Sequence, residues 1–379
     1  MDKAKEYFGY GSVERLTSVI KKVRPHKVFL ITGRESYCLC KAENVLSRIL
    51  RGINTVVFND FSANPKLGDV KKGISLYLKN NPDIMVAVGG GSVIDMAKLV
   101  NIFAAQNEEV VRYLNGAAKI SRKPKPLIAI PTTAGSGSEA THFAVLYSGK
   151  TKYSVAHRYI LPCIAVIDPQ FTLRLPSYIT AASGMDAFSH AVESYWSINS
   201  SNASKKYAKK VIELVLKNLP KAVNSPNKLC RKNMSLAAHL AGKAINITKT
   251  TACHAISYPL TSYFNISHGH AVAQTLGSMF VYNSKVTDAD VVDKRGADYV
   301  RKSITKLVSY LGCKNAYEAK DEIGNLMQQI GLRTRLSELG LRKESDIELI
   351  LKDVNAERLS NNPRTVTKQA IRDMLKNIF

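Results

Sequence analysis

Two short stretches hold residues able to bind a metal ion. In SGMDAFSHAVESYW, Asp186 and His190 stand four apart, so on a helix both project from one face about one turn apart. Further along, TACHAISYPLTSYFNISHGH supplies His254 and His268, with His270 two residues beyond. Three of the eight histidines therefore fall within residues 254–270. Imidazole nitrogens with a carboxylate make a donor set suited to a divalent ion such as Fe²⁺ or Zn²⁺. The remaining histidines read as packed or capping residues.

A second chemistry is written in glycine. VAVGGGSVIDMAK places Gly89, Gly90, Gly91 and Ser92 where a strand turns into a helix. Glycine there lets the backbone approach a pyrophosphate, and the open N–H groups of the helix start supply donors and partial positive charge. The spacing is not GxGxxG, and a tight turn stabilised by Asp95 would look the same. A second polar loop, Pro131 to Glu139 with Thr132, Thr133 and Ser136, follows the strand LIAIP. Two such loops after two parallel strands share the carboxyl edge of the sheet, where such folds bind cofactors.

The elements that must position these residues divide the chain. KVFLIT (27–32), NTVVFND (54–60), DIMVAVGGG (83–91), KPLIAIPTT (125–133) and CIAVID (163–168) read as buried strands. With helical stretches between them, they imply a parallel sheet covered on both faces. FAVLYSGKTKYSVAH alternates on either side of Ser148, Gly149 and Lys150, which predicts an antiparallel hairpin. Beyond about Leu175 the periodicity is helical throughout, with breaks expected near Pro220, Pro226, Gly242, Pro259, Gly269, Gly312, Gly331, Gly340 and Asn361–Pro363. The 379 residues thus read as an α/β domain over 1–175 and an all-α domain over 176–379.

Composition narrows the class. With 45% hydrophobic and 22% charged residues the chain is an ordinary globular one, which excludes disorder and collagen. Its 54 Lys and Arg against 30 Asp and Glu give +24, a field that attracts anions. The excess is split evenly between residues 1–175 and the remainder, without a basic tail, which argues against nucleic acid and leaves a solvated surface, or a field for an anionic small molecule, as its use. Six dispersed cysteines without a CxxC pair read as reduced thiols of a cytoplasmic protein. Neither a signal peptide nor a run of 18 apolar residues is visible, so no membrane partner is expected.

GGGSVIDMAK, PTTAGSGSEAT, the Asp168–Pro169 pair, GMDAFSHAVESYWS, the His254–His268 block and RLSNNPR, in that order and with FGYGSVERL near the start, resemble the iron-containing (group III) alcohol dehydrogenase family. The resemblance covers nearly the whole chain. It implies an α/β dinucleotide-binding domain followed by an all-α metal-binding domain, the architecture shared with dehydroquinate synthase. It also implies metal ligation by Asp186, His190, His254 and His268, with Fe²⁺ (or Zn²⁺) as the ion. Gly89, Gly90, Gly91 and Ser92 match the family's pyrophosphate loop, Thr132, Thr133 and Ser136 its second cofactor loop, and Lys152 a cofactor-side lysine. The family is often dimeric or larger, so a homodimer or higher homo-oligomer is expected.

Two positions depart from the family pattern. Where many members carry an acidic residue facing the adenosine ribose, this chain has Gly33 followed by Arg34, which favours a 2′-phosphate and hence NADPH over NADH. Where many carry a histidine four residues after the one matched by His254, this chain has Tyr258, a poor base at neutral pH. The proton source is therefore open among His270, Tyr258, a cofactor hydroxyl and water. The string AGKAINITKTTACHAISYPLTSYFNISHGHAVA resembles the phosphonoacetaldehyde reductase branch, whose substrate is anionic. Lys249 is the expected anion contact, ahead of Lys243 and Arg364. The expectation is a metal-dependent NAD(P)H oxidoreductase converting phosphonoacetaldehyde to 2-hydroxyethylphosphonate. The alternatives are a dehydrogenase of neutral alcohols or diols and a dehydroquinate-synthase-like lyase.

Overall fold

The structure, a computed structural model, describes residues 4–149 and 151–379. The chain divides into two compact units, Met1–Leu175 and Pro176–Phe379.

In the first unit six parallel strands form one sheet: β1 (Lys5–Phe8), β2 (Lys27–Thr32), β3 (Asn54–Phe58), β4 (Ile84–Gly89), β5 (Leu127–Pro131) and β8 (Ile164–Ile167), ordered β1-β8-β5-β4-β2-β3. The other two strands, β6 (Phe143–Ser148) and β7 (Thr151–Ala156), pair antiparallel as the expected hairpin; Lys150 of its turn lies outside the described residues. The alternation of strand side chains supplies two cores. Phe29, Ile31, Met85, Ala87, Leu127 and Ala129 point to one face, under the Gly91–Ala104 helix. Val28, Leu30, Ile84, Val86, Val88, Ile128 and Ile130 point to the other, under the Arg15–Val23 and Ala42–Ile49 helices. The chain leaves β2 toward β3 but continues from β4 toward β5, so the strand order reverses between β2 and β4, the position where such sheets open a crevice for ligands.

The second unit is helical around one central element, the Ser177–Trp196 helix, which is buried on all sides from Thr180 onward except at Ser183. A helix buried around its circumference belongs in a core, and the polar groups it carries there must find partners within it. The Asn202–Asn224, Lys228–Thr248 and His268–Ser284 helices pack against it. Three expected breaks are absent. Pro220 lies inside Asn202–Asn224, Gly242 inside Lys228–Thr248 and Pro259 inside Ala252–Phe264. An interior proline costs roughly 3 kcal/mol and a glycine about 1 kcal/mol, less than the packing of these long buried faces returns. Among the described residues no helix is long and apolar enough to cross a membrane.

Candidate functional site

The central helix places Asp186 and His190 one turn apart on one face, both buried. His254 comes from the first turn of the Ala252–Phe264 helix and His268 from the first residue of His268–Ser284. Their nitrogens converge: Asp186 Oδ1 lies 3.7 Å from His190 Nε2, 3.5 Å from His254 Nε2 and 3.9 Å from His268 Nε2. The His190 and His254 rings stack with centroids 4.6 Å apart, and His268 stands edge-on to His254 at 5.4 Å. His268 has a third of its side chain exposed, so the cluster opens to solvent on that side.

Gly269 explains how His268 comes so close. A Cβ there would fall 2.0 Å from the Ala182 carbonyl oxygen and 2.8 Å from Asp186 Cβ. Only glycine lets this helix start lie directly on the central helix beside the carboxylate.

Asp186 Oδ1 and His254 Nε2 are buried and make no hydrogen bond to any described residue. Burying a polar atom without a hydrogen-bonding partner costs about 1–3 kcal/mol, and a divalent cation among these donors would remove that cost. Burial alone would raise the Asp186 carboxyl, but the histidines around it hold it well below the usual carboxylate range. The set Asp186, His190 and His254, with donor atoms within 4.8 Å of one another, could hold a metal ion, with His268 beside it.

Glu193, which sequence reasoning missed, organises this cluster. It is fully buried on the same helix, three residues after His190 and seven after Asp186, spacings that place it on their face. Its Oε1 accepts from the Thr251 hydroxyl (2.8 Å) and from the N–H groups of Cys253 (2.9 Å) and His254 (3.3 Å). The Trp196 indole donates in turn to Thr251 Oγ1 at 2.9 Å. Glu193 Oε2 meets His254 Nδ1. One carboxylate therefore caps the Ala252–Phe264 helix and holds a proton of His254 on Nδ1, so that Nε2, toward Asp186, is the atom left for a metal ion to take from its proton. Burial opposes charge on both partners, yet the pair's mutual attraction holds Glu193 down and His254 up at about 9.

Tyr258 lies one turn beyond His254, its ring 6.1 Å from that of His268 and its hydroxyl bonded with Arg358 and Thr250. His270 is turned to other partners: Nε2 donates to the Arg333 carbonyl at 2.7 Å, and Nδ1 lies 3.4 Å from the Tyr178 hydroxyl. The basic residues marked from sequence are also engaged. Lys249 pairs with Glu357 (2.8 Å), Arg364 pairs with Asp290 (2.8 Å), and Lys243 lies over the Tyr207 ring.

In the α/β unit the register of β4 and β5 sets Gly89 opposite Pro131, so the two polar loops emerge side by side. A Cβ on Gly91 would lie 2.7 Å from Ser136 Oγ, and one on Gly90 3.1 Å from Thr133 Cγ2; the loops touch where the glycines are. Ser92 Oγ accepts from the Asn64 N–H at 3.1 Å. β2 ends beside β4, bringing Gly33 and Arg34 to the same edge, where Arg34 pairs with Asp60 at 2.5 Å. Beneath the second loop sits a network not foreseen from sequence. Lys98 is buried, and its Nζ donates to Ser138 Oγ (3.0 Å), Thr141 Oγ1 (3.0 Å) and the Phe143 carbonyl (2.9 Å). Asp95 accepts from the Ser138 hydroxyl (2.5 Å) and the Val145 N–H (2.9 Å) and feels the charge of Lys152. Burial pushes Lys98 down to about 8 against the pull of Asp95 and Glu139. A lysine three residues after Asp95 on an otherwise largely apolar helix was the available signal.

Residues 4–169 match the family model described as iron-containing alcohol dehydrogenase, and residues 180–379 match that of the family's C-terminal part. Long-chain-alcohol dehydrogenase 1 of Geobacillus thermodenitrificans is 31% identical over 98% of this chain and 94% of its own. 1,3-Propanediol dehydrogenase of Citrobacter freundii is 33% identical over 98% and 96%. The crystal structure of sulfoacetaldehyde reductase from Bifidobacterium kashiwanohense in complex with NAD⁺ is similar with a TM-score of 0.87 and 30% identity, over 100% of this chain and 97% of that one. With a parallel-sheet unit carrying two glycine-rich or polar loops and a helical unit carrying converging histidines, the chain belongs to the iron-containing alcohol dehydrogenase family and is a nicotinamide-dependent oxidoreductase of that kind.

Proposed function

We propose that the protein reduces a short anionic aldehyde of the phosphonoacetaldehyde type, giving 2-hydroxyethylphosphonate. The observation that carries the metal-dependent reduction of a carbonyl is the approach of three Nε2 atoms to one Asp186 oxygen, at 3.5–3.9 Å, in a cluster open at His268. Asp186, His190, His254 and His268 would hold a divalent ion, Fe²⁺ or Zn²⁺, which supplies a Lewis acid for a carbonyl. Likeness to a sulfoacetaldehyde reductase and the +24 net charge support an anionic substrate.

The chain's own residues account for the rest. First-turn N–H groups at Gly91 and Ser92, with Gly89 and Gly90 leaving room, receive the pyrophosphate of the dinucleotide; Thr132, Thr133 and Ser136 of the second loop and Lys152 complete its binding. Arg34, beside Gly33, offers a guanidinium to a 2′-phosphate, so NADPH is preferred over NADH. Tyr258, whose ring stands 6.1 Å from that of His268, rather than His270 with its Nε2–H on the Arg333 carbonyl, is the group assigned to proton delivery. We place the enzyme in the cytoplasm as a homodimer or higher homo-oligomer.

Likeness to 1,3-propanediol dehydrogenase favours a second reading, oxidation or reduction of neutral short alcohols and aldehydes. Steady-state comparison of phosphonoacetaldehyde, sulfoacetaldehyde and propanal with NADPH and NADH separates the two. A kcat/KM for either anionic aldehyde at least tenfold above that for propanal is expected. Equal values for all three would overturn the anionic assignment, and turnover without net nicotinamide oxidation would point to a lyase.

A further inference from the structure

We infer that Asn361 is a positioning residue for the histidine cluster, bracing the strained turn out of which His254 enters it; this deepens the proposed metal ligation and rests on it. The turn joins the Lys228–Thr248 helix to the Ala252–Phe264 helix through Lys249, Thr250 and Thr251 alone. Lys249 stands at φ 58° and ψ −178°, where a Cβ crowds its own backbone and residues other than glycine are rarely found. Such a conformation persists only where its surroundings over-determine it. The turn's carbonyls show how. That of Thr248 accepts from the Ser197 hydroxyl at 3.2 Å, that of Lys249 from the Thr248 hydroxyl at 2.8 Å, and that of Thr251 from the Ala255 N–H at 3.1 Å as the next helix begins. The Thr250 carbonyl accepts from Asn361 Nδ2 at 3.1 Å.

Asn361 comes from 111 positions further along the chain and is itself held on both sides. Its Oδ1 accepts from Asn199 Nδ2 at 3.1 Å, and its carbonyl accepts from the Ile198 N–H at 3.2 Å. Ile198 and Asn199 stand just past the end of the central helix. One side chain therefore ties the exit of the helix that carries Asp186 and His190 to the entrance of the helix that carries His254. The neighbouring Asn362 is fully buried and exchanges amide hydrogen bonds with Asn283, at 2.9 and 3.3 Å, so the brace is anchored in the core. What it holds in place is the next residue along, Thr251, whose hydroxyl meets Glu193 together with the N–H groups of Cys253 and His254. A turn relaxed at Lys249 would draw that first helical turn off Glu193, and with it the His254 Nε2 that lies 3.5 Å from Asp186 Oδ1.

The test uses the full-length protein, stripped of metal and titrated with Zn²⁺ against a chelator of known affinity and with Co²⁺, whose visible absorption reports ligand geometry. Asn361→Asp keeps the side chain's shape and its acceptor for Asn199 but sets an oxygen against the Thr250 carbonyl. Its Kd for Zn²⁺ should rise at least tenfold, and its Co²⁺ bands should shift or weaken. Lys249→Gly removes the strain, whereas Lys249→Ala keeps it; both lose the ion pair with Glu357, so the Gly variant should melt at the higher temperature. An unstrained turn needs no brace, so adding Lys249→Gly to Asn361→Asp should return the Zn²⁺ Kd to within threefold of that of Lys249→Gly alone. Should Asn361→Asp fail to fold, Asn199→Ala, which leaves the Asn361 amide loose, should raise the Kd about threefold. Unchanged Zn²⁺ affinity and Co²⁺ bands in the variant that folds, or a double variant as impaired as Asn361→Asp, would make Asn361 a merely structural residue and overturn the inference while the metal reading stands. A wild-type protein that takes up neither ion would overturn the metal reading itself.

Discussion

Replacing Glu193 by Gln tests how the histidine cluster is organised. The substitution keeps the side chain's size and leaves an amide oxygen to accept from Thr251, Cys253 and His254 N–H, but it puts an NH₂ group against His254 Nδ1. Two donors cannot face each other, so His254 must move its proton to Nε2, the atom 3.5 Å from Asp186 Oδ1. A ligand nitrogen is thereby blocked while the fold keeps most of its bonds. Loss of such a supporting carboxylate weakens metal binding about 10- to 100-fold, or about 1.4–2.7 kcal/mol. Glu193→Ala instead strands four donors in a fully buried site, the Thr251 hydroxyl, the Cys253 and His254 N–H groups and His254 Nδ1–H, at roughly 1–3 kcal/mol each, and should lower the melting temperature sharply. The assay is competition with a chelator of known affinity, alongside thermal melting of the metal-free protein. A Gln variant that binds metal as tightly as wild type would refute the proposed role of Glu193, as would one whose only defect is a melting loss equal to that of the Ala variant.

Gly269→Ala sets a Cβ 2.0 Å from the Ala182 carbonyl oxygen, which neither helix backbone can absorb; the variant should lose at least about 1–3 kcal/mol and bind metal more weakly, read by denaturant unfolding and metal titration. Lys98 gives a pH signature. Its folded value of about 8 lies below the reference of about 10.4 for a free lysine, so between these the unfolded chain binds more protons and stability should rise with pH. A Lys98→Met variant, measured by unfolding at pH 8 and pH 10, should lack that rise and show a higher KM for the nicotinamide, because Ser138 and Thr141 lose their shared donor. Arg34→Ala should raise KM for NADPH more than for NADH, while Asp60→Asn, which frees the guanidinium of an exposed ion pair worth about 0–1 kcal/mol, should lower KM for NADPH; equal effects on both nicotinamides would remove Arg34 from cofactor choice.

The sheet was legible because its strands carry unbroken apolar runs that only a doubly covered sheet can bury, as at VFLI of β2 and MVAV of β4. β1 escaped notice: KEYF is short, charged and largely exposed, and becomes a strand only because β8 offers an edge to pair with. Helix ends were legible at caps but not at Pro220 and Pro259, where burial outweighs the lost hydrogen bond. Within the site, Asp186 and His190 announce themselves through their spacing, whereas their meeting with His254 and His268 depends on the close approach at Gly269, a fact of tertiary packing. Glu193 was hidden because a buried charge in one dimension is indistinguishable from a solvent-facing one. Lys249 shows the converse, a well-placed lysine whose charge is met by Glu357 from a segment about a hundred residues away.

Anomalous X-ray scattering from crystals of the purified enzyme, recorded on both sides of the iron and zinc absorption edges, addresses the histidine cluster most directly. The expected result is one strong peak bonded to Asp186, His190, His254 and His268, vanishing in the His254→Ala protein. An active enzyme without a peak there, or with its ion elsewhere in the chain, would contradict the account.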